Sequence, residues 1–107
     1  MNLKDKNCTP LKEESQPFDS KKIIEFMKKL KAGWKVIDDM SLRKEIPFYD
    51  FESGMDFAKK VADLANEQNH HPELYIHSSQ VEVELSSQYV GGLTLNDFIM
   101  AAKIDAI

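Results

Sequence analysis

Three histidines occur in this chain, and two are adjacent and followed by proline, His70-His71-Pro72. Histidine exchanges protons near neutral pH, so the pair suits general acid–base work. Pro72 biases His71 toward extended backbone, where neighbouring side chains point opposite ways. A helix-to-strand junction can nevertheless twist both rings into one pocket. The same residues also read as a surface junction with incidental histidines. A third reading is zinc, since His70, His71, His77 and Cys8 supply the ligand types. Neither a paired-cysteine motif nor two histidines at i, i+4 on a helix is present, so no metal site is expected. A G-x-S-x-G elbow is absent, and Cys8 has no sequence-local activating group, which leaves nucleophilic catalysis with little support. Gly91-Gly92 lacks the lysine and spacing of a phosphate loop and reads as a tight turn requiring positive φ or close backbone approach. Asp97, three residues after Thr94, completes a capping box, a role that accounts for it fully.

The elements that must position these residues follow from periodicity. Residues 1–18 carry two prolines and no period and read as an irregular arm ahead of a single domain over 19–107. Asp19 or Ser20 caps a helix over about 20–31, with Ile23, Ile24, Phe26, Met27 and Leu30 as its apolar stripe and Gly33 as its stop. Strands are expected over 34–37 and 42–48, joined by a turn at Asp38-Asp39-Met40-Ser41. Asp50 caps a second helix over about 51–68. Leu74 and Ile76 alternate with Tyr75 and His77, Ser78-Ser79 turn, and Val81, Val83 and Leu85 alternate with Glu82 and Glu84. Such alternation gives one buried and one wet face, as in antiparallel sheets. A last helix runs to about 106. The fold class is therefore α+β: a four-stranded antiparallel sheet with three helices on one face, in the order αββαββα.

Composition narrows the partners. With 107 residues the chain is one domain, and a net charge of −4 argues against nucleic acid as main partner. Residues 1–31 hold eight lysines against five acids, which reads as a solvated helix face. No apolar run approaches the roughly 18 residues of a membrane span. The residues from Met1 to Asn7 lack the apolar core of a signal peptide, and the single cysteine cannot form an internal disulfide. A cytoplasmic protein without membrane attachment is expected.

Taken together, His70-His71-Pro72-Glu73-Leu74-Tyr75, Val81-Glu82-Val83-Glu84-Leu85 and Gly91-Gly92-Leu93-Thr94-Leu95-Asn96-Asp97-Phe98 closely resemble pterin-4a-carbinolamine dehydratase. Cys8-Thr9-Pro10 is similar to that family's N-terminal arm, and Gly33-Trp34 to its helix-to-strand junction. The resemblance implies the same fold and a lyase that dehydrates 4a-hydroxytetrahydropterin to quinonoid dihydropterin in tetrahydrobiopterin recycling. It also implies no metal or organic cofactor, a small-molecule pterin as ligand, and a homodimer or homotetramer. His70 and His71 fall on the family's first two histidines, the first an acid–base candidate and the second a holder of the pterin. Gln88 falls where the family carries its third, catalytic histidine; glutamine hydrogen-bonds but does not titrate. Pro72, Glu73, Ser87 and Asp97 complete the implied substrate-binding set, with Asp97 on the family's aspartate. A usual aromatic falls on Ser78, with Tyr75 close by, and a frequent acidic residue falls on Asn66, with Glu67 adjacent. These departures set an alternative beside the enzyme: a catalytically weakened pterin-binding or oligomeric interaction module, in a molybdopterin-related setting.

Overall fold

The computed structural model describes residues 2–107. Its elements are α1 (Ser20–Met27), β1 (Lys35–Ile37), β2 (Ser41–Pro47), α2 (Phe51–Gln68), β3 (Glu73–Ile76), β4 (Gln80–Leu85) and α3 (Leu95–Asp105), with 3-10 turns at Leu3–Asp5 and Gln88–Val90. The sheet is antiparallel throughout, in the order β1-β2-β4-β3. The expected αββαββα order and α+β class hold.

Period-two alternation decides which face the helices cover. Val81, Val83 and Leu85 of β4 are fully buried beside Leu42 of β2, and they pack with Val61 of α2 and Phe98 of α3. Burying each such side chain contributes roughly 1.5–3 kcal/mol. Phe98 is met by Phe18 and Phe26 at ring distances of 5.8 and 5.5 Å, which fixes α1 against α3. The opposite face carries Arg43, Glu45, Glu82 and Glu84 in register. Its charge lets that face stay in water. Ile76, expected inside, is 39% exposed. It pairs with Val81, but β3 is an edge strand with no neighbour on its outer side, and Ile76 is its last residue.

The helix ends follow their capping residues. Asp19 Oδ1 accepts from the Lys22 N–H at 2.9 Å, and Asp50 Oδ1 from the Ser53 N–H at 2.8 Å. The first helix stops at Met27, short of the expected 31, because the next residues tighten into i→i−3 bonds: Lys29 N–H to Phe26 O and Leu30 N–H to Met27 O. Asp38 and Asp39 both take positive φ and close the β1–β2 hairpin. Ile37 pairs with Ser41, so the loop holds three residues, and the turn about Asp38-Asp39 is closed by the Met40 N–H on Ile37 O at 2.9 Å.

The N-terminal arm contains a 3-10 turn and is fastened to the domain. Leu3 is buried in the core, the Cys8 N–H donates to Gln68 Oε1 at 2.8 Å, and Thr9 exchanges hydrogen bonds with the Asn96 side chain. No helix among the described residues is long and apolar enough to cross a membrane.

Candidate active site

The histidine pair stands where α2 ends. Asn69 adopts the left-handed conformation (φ 53°) and closes the helix, turning the chain so that the His70 N–H still reaches Ala65 O at 3.2 Å. Asparagine tolerates this region because its short polar side chain relieves the local clash. From there the chain runs through Pro72 into β3. The second half of the site comes from the segment after β4, where Gln88–Val90 forms a 3-10 turn ended by Gly91 at φ 77°. The two segments meet because β3 and β4 pair with Glu73 opposite Glu84.

Between them lies a cleft of about 260 Å³ whose walls include His70, His71, Glu73, Glu84, Gln88 and Tyr89. The junction thus brings both rings to one cavity. The third histidine, His77, sits in the β3–β4 turn, where its N–H bonds Gln80 O. Among the described residues, no group of three His, Cys, Asp or Glu side chains is arranged to hold a metal ion.

His70 is the organised residue of the pair. Its side chain is only 11% exposed, and Nε2–H donates to Asp97 Oδ1 at 2.7 Å. Asp97 is fully buried, and its other oxygen accepts from Ser87 Oγ–H at 2.7 Å and from the Thr94 N–H at 3.0 Å. Ser87 Oγ also lies 2.8 Å from Thr94 Oγ1. The capping box at the start of α3 is therefore formed, and the carboxylate that closes it also orients His70. An acceptor fixed at Nε2 makes Nδ1 the ring nitrogen free to exchange a proton. Such a histidine–carboxylate pair fixes the orientation and the tautomer of the ring. His71 is exposed, and its Nε2–H donates to Asn66 Oδ1 at 3.0 Å.

The residues of the implied substrate-binding set stand differently around the cleft. Asp97 is fully buried and does not line it. Ser87 borders the cleft, but its hydroxyl is committed to Asp97 and Thr94. Pro72 shapes the junction and does not line the cavity. Ser78 and Tyr75 are also absent from its walls. Glu73 and Gln88 do line it, both with exposed side chains.

Sequence reasoning missed Leu11, Glu84 and Tyr89. Leu11 comes from the arm, and nothing local in its sequence announces that contact. Glu84 was read only as the wet half of an alternating strand. Tyr89, 70% exposed, supplies an aromatic at the cleft that Ser78 lacks, and its position beside Gln88 was the available signal. Glu84 is 21% exposed and accepts at Oε1 from Arg43 Nη2–H at 3.0 Å and from Tyr75 O–H at 3.4 Å. Burial pushes its carboxyl upward, but the hydrogen bonds from Arg43, Ser41 and Tyr75 and the Arg43 charge outweigh that, holding it below the usual carboxylate range. Cys8 does not line the cleft, and burial, followed by the charge of Asp97, pushes its thiol up to about 11.

Comparison with known proteins agrees with this fold. The family described as pterin 4 alpha carbinolamine dehydratase matches residues 16–107. A Rubrobacter xylanophilus protein provisionally named pterin-4-alpha-carbinolamine dehydratase is 34% identical over 105 residues, covering 98% of this chain and 97% of its own. A Rickettsia bellii protein with the same provisional name is 38% identical over 105 residues, covering 98% and 93%. Among solved structures, a Brucella melitensis protein described as a transcriptional coactivator/pterin dehydratase superposes with a TM-score of 0.78 at 27% identity. That match covers 86% of this chain and 97% of the other.

Proposed function

Because the chain belongs to the pterin-4a-carbinolamine dehydratase family, we propose that it is a hydro-lyase converting 4a-hydroxytetrahydropterin to quinonoid dihydropterin, with His70 as the proton-transfer group. The observation that carries this reading is the His70–Asp97 pair, 2.7 Å apart, at the wall of a cleft of about 260 Å³. In the reaction the C4a–O bond breaks and the hydroxyl leaves as water after gaining a proton. N5 loses its proton, and C4a and N5 become doubly bonded. One imidazole can serve both ends. As imidazolium, His70 protonates the leaving hydroxyl; the neutral ring then takes the N5 proton and is restored. Asp97 offsets the positive charge of the first state. His71 and Gln88 hold the substrate, and Gln88 contributes hydrogen bonding without titrating.

Tetrahydrobiopterin recycling is the setting we propose. It is favoured over a molybdopterin-related one because the cleft walls carry Glu73 and Glu84 and neither lysine nor arginine, which disfavours a phosphorylated pterin. The weakened, pterin-binding alternative draws its support from Gln88, which stands at the cleft in place of the family's third histidine. We further propose self-association to a homodimer or homotetramer, supported by the two short edge strands β1 and β3 and by exposed Tyr49, Phe51 and Met55 at the start of α2. The deciding experiment is turnover of freshly generated 4a-hydroxytetrahydropterin with the spontaneous rate subtracted. Catalysis above that rate supports the lyase, whereas pterin binding without catalysis supports the alternative.

A further inference from the structure

The cleft has one wall that acid–base catalysis does not use. Glu73 and Glu84 face each other across the β3–β4 pair, and both line the cavity. Like charges directly opposite on a sheet destabilise it, so this arrangement carries a local cost. Arg43, opposite Glu84 on β2, offsets part of that cost through its 3.0 Å bond. The same bond, with that from Tyr75, fixes the Glu84 carboxylate in place, since each arrives from a neighbouring strand. The result is a rigid, half-buried acceptor at the rim of a cavity whose walls hold no cationic side chain other than the histidines.

Resting on the pterin reading above, we infer that Glu84 recognises the donor edge of the substrate's pyrimidine ring, accepting from N3–H and from the 2-amino group. These two N–H groups are neighbours on one side of the ring and point the same way, so the carboxylate can receive both through the two lone pairs of Oε2 while Oε1 is held by Arg43 and Tyr75. C4a lies across the ring from C2. Seating the amino edge on β4 therefore points the C4a–N5 bond away from that strand, into the cleft that His70 also lines. Glu84 is thereby a specificity-determining residue for a 2-amino-4-oxo ring, and Arg43 is a positioning residue that acts through it.

The test compares binding of 7,8-dihydropterin with binding of 7,8-dihydrolumazine, in which a 2-oxo group replaces the 2-amino group. The parent protein is expected to prefer dihydropterin by on the order of 10- to 100-fold, the range of a charge-assisted pair. Glu84→Gln should reduce that preference to near parity while weakening dihydrolumazine binding little. Glu82→Gln removes the same charge from the other carboxylate beside Arg43, outside the cleft walls, and should leave the preference intact. Equal binding of the two ligands by the parent, or a preference retained in Glu84→Gln, overturns the assignment while leaving the lyase reading standing. Loss of preference in Glu82→Gln as well would assign the effect to the general field, against direct contact. A parent protein that binds neither ligand overturns the pterin reading and this inference together.

Discussion

Replacing Asp97 with asparagine tests the coupling between the helix cap and the ring proposed to transfer protons. Asp97 is fully buried and accepts three hydrogen bonds: from His70 and Ser87 at 2.7 Å each and from the Thr94 N–H at 3.0 Å. Asparagine keeps one oxygen, which can stay on Thr94 and Ser87 and preserve the cap. Its NH2 group then faces His70 Nε2, which must become an acceptor. The ring is forced into the tautomer with hydrogen on Nδ1, so that nitrogen no longer offers a lone pair. Loss of a positioned base costs on the order of 10²–10⁴ in rate. Replacing charge-assisted with neutral hydrogen bonds at a buried site should destabilise the fold by about 1–3 kcal/mol. Stopped-flow dehydration gives the first quantity and urea unfolding the second, with dihydropterin affinity measured alongside. Affinity should change little, because Asp97 does not touch the ligand. An unaltered kcat in a folded Asp97→Asn protein would refute the argument that this carboxylate sets the state of His70.

Other expectations follow from single residues. Gln88→His should raise kcat more than it changes pterin affinity, since it supplies a third imidazole to the cleft; no gain in stopped-flow turnover would contradict the view that Gln88 limits proton transfer. Gly92→Ala places a Cβ 2.8 Å from Pro17 Cβ and should cost about 1–3 kcal/mol in urea unfolding. With its thiol pushed up to about 11, Cys8 should react with an alkylating agent at pH 8 about a hundredfold more slowly than an unperturbed thiol; rapid modification would contradict the docked arm. Sedimentation at micromolar concentration should show a dimer or tetramer, and a strict monomer would contradict the assembly proposed above.

Periodicity made the architecture legible. The second helix matches its expected bounds of 51–68. The strands shift by a residue or so at their ends, where pairing with neighbours sets the limit. The two glycines divide the reasons given for them: Gly91 takes the positive φ, and Gly92 makes the close approach, to Pro17. Position along the chain could not say that Asp97 would do two jobs, because the capping box is local whereas His70 lies 27 residues away. The arm was the least legible part. Its hold on the domain consists of scattered hydrogen bonds with Gln68, Asn96 and Lys103 and one buried leucine, none of which has a period. Glu84 eluded the sequence for a related reason: alternation puts a glutamate on the wet face but does not show that this face borders the cleft.

Proton transfer by His70 is the central claim, and chemical rescue tests it most directly. His70→Ala empties the wall position beside Asp97, leaving space for a free imidazole. Dehydration of 4a-hydroxytetrahydropterin by this variant should fall toward the spontaneous rate and recover, in part and saturably, as imidazole is added, with dihydropterin affinity nearly unchanged. A His70→Ala protein that retains the parent's kcat without imidazole would contradict the account.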